Sequence, residues 1–147
     1  MFGNKDKRAA ASDAKEAANA ALRTEVERLE ALPMAQLAAE VMIKGFGPGG
    51  YLPQFMEREP HAAARGVRVE NIARTFEPEL IARDLDLRQR LFEVVGEGLQ
   101  VLEHESLIWV RNVSQVEVGY APRRRGRAAL EADAVEQTLS GESAETA

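Results

Sequence analysis

The chain has 147 residues, of which 45% are hydrophobic, 29% charged and 5% aromatic, and its formal net charge is -5. That length supports one ordinary domain with its own core, and the balance of residue types excludes a wholly disordered chain. The lack of cysteine excludes disulfides, a thiolate zinc site and a cysteine nucleophile, while the negative charge argues against coating nucleic acid by bulk attraction.

From Ala9 to Leu32 the sequence is rich in alanine and charge and free of glycine and proline, which favours helix. Only Leu22, Val26, Leu29 and Leu32 supply large apolar groups at helical spacing, so the second half is expected to dock and the first to be solvated. Residues 1–32 are therefore predicted to be a charged helical extension, a plain surface helix or a dimerisation arm. The N-terminal twenty residues lack the apolar core of a signal peptide, and nowhere do about 18 apolar residues run together as a membrane span requires. A cytoplasmic location without membrane contact is expected.

Pro33 fits a first helical turn, and Met34, Leu37, Ala38, Val41 and Met42 then share one face, which predicts a second helix. It stops at "GFGPGG", Gly45 to Gly50. A glycine-rich loop that cradles phosphate follows a strand and leads into a helix bearing Lys-Ser or Lys-Thr, and neither feature is present. With Pro53 and Pro60 further on, residues 45–66 are expected to be a long loop, ordered in part by docking of Tyr51, Leu52 and Phe55. Val69, Ile72, Ala73 and Phe76 predict a short helix closed before Pro78.

Leu87, Leu91, Val94, Val95, Leu99 and Leu102 line one face of a long helix, with Asp84 or Asp86 as its N-cap. Gly96 and Gly98 imply a closely packed neighbour or a bend. "LIWVRN" and "VEVGYA" alternate and are rich in β-branched and aromatic residues, which predicts a two-stranded hairpin with Trp109 facing Tyr120 across it. Helical spacing resumes in "RRGRAALEADAVEQTL" through Ala128, Ala129, Leu130, Val135 and Leu139, and residues 140–147 read as a disordered acidic tail. The fold class expected is mainly α with a small β-hairpin, the main domain covering residues 33–139.

Two stretches carry a resemblance. In "LQVLEHESLIWVRN" and "VEVGYAPRRRGRAALEA", Leu99, Leu102, Glu103, Leu107 and Ile108, then Tyr120, Pro122, Arg125, Gly126, Arg127, Ala129 and Leu130, stand in a characteristic order. They resemble the end of the recognition helix, the wing and the start of the last helix in bacterial winged helix-turn-helix regulators of the MarR and PadR kind. The similarity covers about residues 67–139. Two positions depart from the pattern: Ala121 stands where a capping threonine is common, and Ser106 where a glycine usually ends the recognition helix.

The resemblance implies a dimeric DNA-binding regulator of transcription. Double-stranded DNA would be held by Arg111, Arg123, Arg124 and Arg125 on phosphates, with limited base reading by Arg88 and Gln89. Charge opposes this in part, since residues 84–105 hold two arginines against six acidic residues. Four arginines within positions 123–127 open a helix where the macrodipole favours acids, which calls for a neutralising partner or for internal pairing such as Arg127 with Glu131. The alternative is a winged-helix module that binds protein, through the acidic long helix or the apolar residues around Tyr51 and Phe55. Enzyme chemistry is not expected: His61 and His104 stand apart, and neither Glu57 with Glu59 nor Glu103 with Glu105 forms a convergent pair by spacing. No metal or cofactor is expected.

Overall fold

The computed structural model describes residues 2–61, 65–77, 83–112 and 118–141. The fold is mainly α with a small β-hairpin. Helices α1 (Phe2–Glu30), α2 (Met34–Phe46), α3 (Tyr51–Arg58), α4 (Val69–Arg74) and α5 (Leu85–His104) precede an antiparallel pair, β1 (Ile108–Asn112) and β2 (Val118–Pro122). Helices α6 (Arg124–Glu131) and α7 (Val135–Ser140) close the described chain. No described helix is long and apolar enough to cross a membrane.

Helix α5 is the axis of the core. Its buried stripe, Leu87, Leu91, Val94, Val95, Leu99 and Leu102, packs against α1, α2 and α4 in one continuous cluster. From α1 the second half joins, through Ala18, Leu22, Val26 and Leu29, while residues 6–17 are exposed. The small residue at 98 has a packing cause: a Cβ at Gly98 would come within 2.7 Å of Val41 Cγ2, so α2 lies closer to α5 than any larger residue permits. Gly96 faces open space.

Ion pairs tie α1 to its neighbours. Arg28 bonds Glu25 and, across to α2, Glu40 at 2.8 Å. Arg90 of α5 reaches Glu30 at 2.5 Å, and the hydrogen bond from its guanidinium holds the Glu30 carboxyl below its usual range. Because the folded state depresses this acid, the tie holds above the ordinary carboxylate range and is lost as pH falls through the lowered value.

A clamp invisible in the sequence fixes the start of α5. Asn19 Oδ1 of α1 accepts from the Arg83 and Asp84 backbone amides at 3.1 and 3.2 Å. The Asp84 carboxylate then accepts from the Leu87 amide at 3.1 Å and caps the helix. Asp84→Ala is expected to lower stability by about 1 kcal/mol in urea titration, the usual cost of an N-cap. An unchanged midpoint would mean that the Asn19 clamp suffices alone.

Three expectations are corrected. The loop expected over residues 45–66 contains α3, because Pro53 falls in its first turn, where no amide donor is needed, and Leu52 is buried with Tyr51 and Phe55 packed beside it. Tyr51 and Phe55 stack at 5.5 Å, and the Asn71 amide of α4 donates to the Tyr51 hydroxyl at 2.6 Å. Second, Trp109 does not face Tyr120: the register pairs Trp109 with Ala121 and Val110 with Tyr120, so the two rings lie on opposite faces of the hairpin. Third, the last helix is two helices. Asp133 adopts φ +51°, the Asp133 amide bonds Leu130 O and the Ala134 amide bonds Ala129 O, a Schellman end that turns Val135 into the core. An aspartate tolerates that left-handed backbone, and an alanine-rich pattern does not advertise it.

Beside the hairpin, Val67 makes an isolated antiparallel bridge to Tyr120 through two amide bonds of 2.7 and 2.8 Å. The stop expected at Pro78 and the polar link expected between the strands beyond Asn112 lie outside the described residues, as does the tail after Gly141.

Candidate functional site

The site begins where α5 ends. The Ser106 amide bonds Glu103 O at 3.0 Å and the Leu107 amide bonds Leu102 O at 2.9 Å, again a Schellman end, with Ser106 at φ +62° in the place that favours glycine. Replacing Ser106 by Gly should raise stability by about 0.5–1 kcal/mol, since relief of the left-handed strain exceeds glycine's larger loss of backbone freedom. Thermal unfolding of the two proteins side by side checks this, and a lower midpoint for the glycine variant would mean that the serine side chain holds the turn.

The chain then runs up β1, returns along β2 and arrives back at the same turn. The Arg123 amide donates to the Leu107 carbonyl at 2.8 Å, and the absence of a side chain at Gly126 lets α6 lie directly on that carbonyl. Arg123, Arg124, Arg125 and Arg127 are thereby gathered beside Ser106 and Trp109, around a shallow open cleft of about 780 Å³ that Pro122 and Ala128 complete. Ala128, expected among the apolar positions of the last helix, is exposed at this rim.

Two of the four arginines are anchored by backbone. Arg125 donates to the Glu105 carbonyl at the C-terminal end of α5, and Arg127 donates to the Pro122 carbonyl at 2.9 Å. Among the described residues none of the four is paired with a carboxylate, and the internal pairing of Arg127 with Glu131 does not form. Four cations thus stand at the positive end of α6 without an ion-pair partner among the described residues, an arrangement that favours a bound anion.

The hairpin adds an aromatic wall. Trp109 and Arg111 share the outward face of β1, opposite the small residues Ala121 and Gly119. The Arg111 guanidinium lies over the indole, 4.5 Å from the ring centroid, yet 41% of Trp109 remains exposed. On the inner side Tyr120 is partly buried, and this burial, aided by the charge of Glu103, pushes its hydroxyl above the ordinary phenol range. The chain matches no known protein family, and no curated protein or solved structure resembles it significantly.

Arg88 and Gln89 do not belong to this cleft. They lie near the opposite end of α5, about 24 Å from His104 by helical rise. Arg88 is held by Glu77 of the preceding turn at 3.2 Å, and the Gln89 amide leans on Glu93 at 3.4 Å. The outward stripe of α5 reads Asp86, Gln89, Glu93, Glu97, Gln100 and His104, all exposed, so no basic strip joins Arg88 to the hairpin. Of the six residues expected to touch DNA, Arg111, Arg123, Arg124 and Arg125 are brought together and the other two stand apart. Among the described residues no group of three or more His, Asp or Glu side chains is placed to hold a metal ion.

Trp109 and Ser106 are the site residues that sequence reasoning underrated. For Ser106 the signal was present, as the serine standing where the resemblance expects glycine. For Trp109 it was the outward phase of "LIWVRN", legible only once the register of the hairpin is known.

Proposed function

We propose that this chain is a nucleic-acid-binding regulator of the winged-helix type, whose contact is made by the hairpin and the arginine cleft at its base. The observation that carries the reading is the convergence of Arg123, Arg124, Arg125 and Arg127 on one open cleft, with no carboxylate partner among the described residues. Arginines spaced in this way neutralise consecutive phosphates and position a strand without reading its sequence. The winged-helix part is supported by element order: the Val67 bridge, short α4, long α5 and the hairpin follow one another as in that domain, with Val67 bridged to Tyr120 beside β2. The acidic outer stripe of α5 opposes deep entry of that helix into a groove, so the contact is centred on the wing and base reading by Arg88 and Gln89 has little support.

Binding to a fluorescent mixed-sequence DNA duplex, followed by anisotropy over a salt series, tests the proposal. Affinity that falls steeply with salt supports it, each phosphate contact contributing a slope of about -0.9 in log K against log salt. Absence of binding at low salt to this duplex and to its separated strands alike would sink it.

A second reading is favoured by one observation, the exposed row of Asp86, Glu93 and Glu97 on α5, which suits a basic protein surface better than a phosphate backbone. Under it Glu93→Gln with Glu97→Gln would weaken the partner's binding, whereas the nucleic-acid reading expects the same change to leave duplex affinity equal or slightly higher.

A further inference from the structure

We infer that the cleft takes a single-stranded segment of nucleic acid, with an unpaired base stacked on Trp109 while the arginines hold the adjoining phosphates. This rests on the reading proposed above and narrows its ligand. The indole is a wall of the same cleft that Arg123, Arg124, Arg125 and Arg127 line, and Trp109 as a residue stays 41% exposed. A residue with so much apolar surface is commonly drawn into a core, yet this one is held on the outer face of a strand. Arg111 covers part of the ring and fixes its orientation, so the plane is set before a ligand arrives.

The surroundings suit a flexible strand better than a rigid rod. Directly across the hairpin from Trp109 and Arg111 stand the small residues Ala121 and Gly119. Single-strand sites combine a cationic track for the backbone with an aromatic plane for the bases, and stacking tolerates any base because each has a π-face. In a duplex the base faces are already stacked on one another, so Trp109 would find only sugar and phosphate edges. A free inorganic anion would use the arginines and leave the indole idle. The Ser106 hydroxyl, at the rim beside the ring, adds one neutral donor for a phosphate or sugar oxygen.

Trp109 is the sole tryptophan of the chain, so its emission reports on the cleft directly. The full chain is titrated with an oligothymidine strand of about twelve nucleotides, within the ~4–16 nucleotides of a typical single-strand site. A duplex of the same length and inorganic phosphate are titrated in parallel, with anisotropy of labelled strands read beside tryptophan emission. The single strand is expected to quench Trp109 and to bind Trp109→Leu about tenfold more weakly, with Trp109→Phe recovering most of the loss and duplex affinity nearly unchanged in both variants. Single-strand binding without quenching, equal binding by Trp109→Leu, or equal quenching by phosphate alone would each overturn the inference. Duplex binding without any single-strand binding would remove the single-strand inference and keep the wider reading. A chain that binds neither strand form removes both.

Discussion

Changing Arg123, Arg124 and Arg125 together to alanine is expected to weaken nucleic-acid binding by about a thousandfold or more at low salt. It should also flatten the salt dependence by about three units of slope if each arginine meets one phosphate. The magnitude follows from charge-assisted hydrogen bonds of about 1.5 kcal/mol each, of which three are removed. What separates this from trivial unfolding is the expected sign on stability. The three cations sit at the positive end of α6 and none is paired with a carboxylate among the described residues, so their removal should relieve about 0.3–1 kcal/mol apiece, offset in part by loss of the Arg125 bond to the Glu105 carbonyl. A variant that binds poorly yet melts no lower than the parent would show that these side chains are kept for a ligand. A variant that loses stability and retains binding would show that they serve the fold.

Gly126→Ala is expected to have the largest effect on stability. A Cβ there would collide with the Leu107 carbonyl oxygen and come within 2.8 Å of Met42 Cε. The methionine end can swing away, but the carbonyl cannot, because Leu107 is fixed by its amide bond to Leu102 and also accepts from the Arg123 amide. Helix α6 must therefore move off the turn, at a cost of about 3 kcal/mol, the upper part of the range for overpacking. Urea unfolding followed by circular dichroism measures the loss. Since the same contact assembles the cleft, nucleic-acid affinity should fall as well under conditions where the variant is still folded. An unchanged unfolding midpoint would mean that the approach of α6 to Leu107 is looser than the geometry requires.

The elements most legible in the sequence are those whose side chains report on one large neighbour. The stripe from Leu87 to Leu102 is buried as its spacing implies, and Val41 and Met42 meet it from α2. Legibility fails where a single backbone angle decides. Nothing in "LEADAVEQ" marks Asp133 as left-handed, and with that residue one helix became two. It fails also for register: placing Trp109 against Ala121 instead of Tyr120 moves the indole from a packing pair to the solvent face. In the site, Arg123, Arg124 and Arg125 were visible because they adjoin in sequence and need only one turn to converge. Arg88 was misleading for the opposite reason, since its partner Glu77 is a tertiary neighbour that no helical spacing reveals. Asn19 belongs to the same class, reaching the start of α5 from more than sixty residues away.

The proposed contact surface is tested most directly by backbone amide shifts of the isotopically labelled chain on addition of nucleic acid. Changes confined to Ser106, Trp109, Arg111, Gly119 and residues 123–128 are expected, with Gln89, Glu93 and Glu97 unmoved. Shifts running along the outer stripe of α5, with the arginine cleft silent, would contradict it.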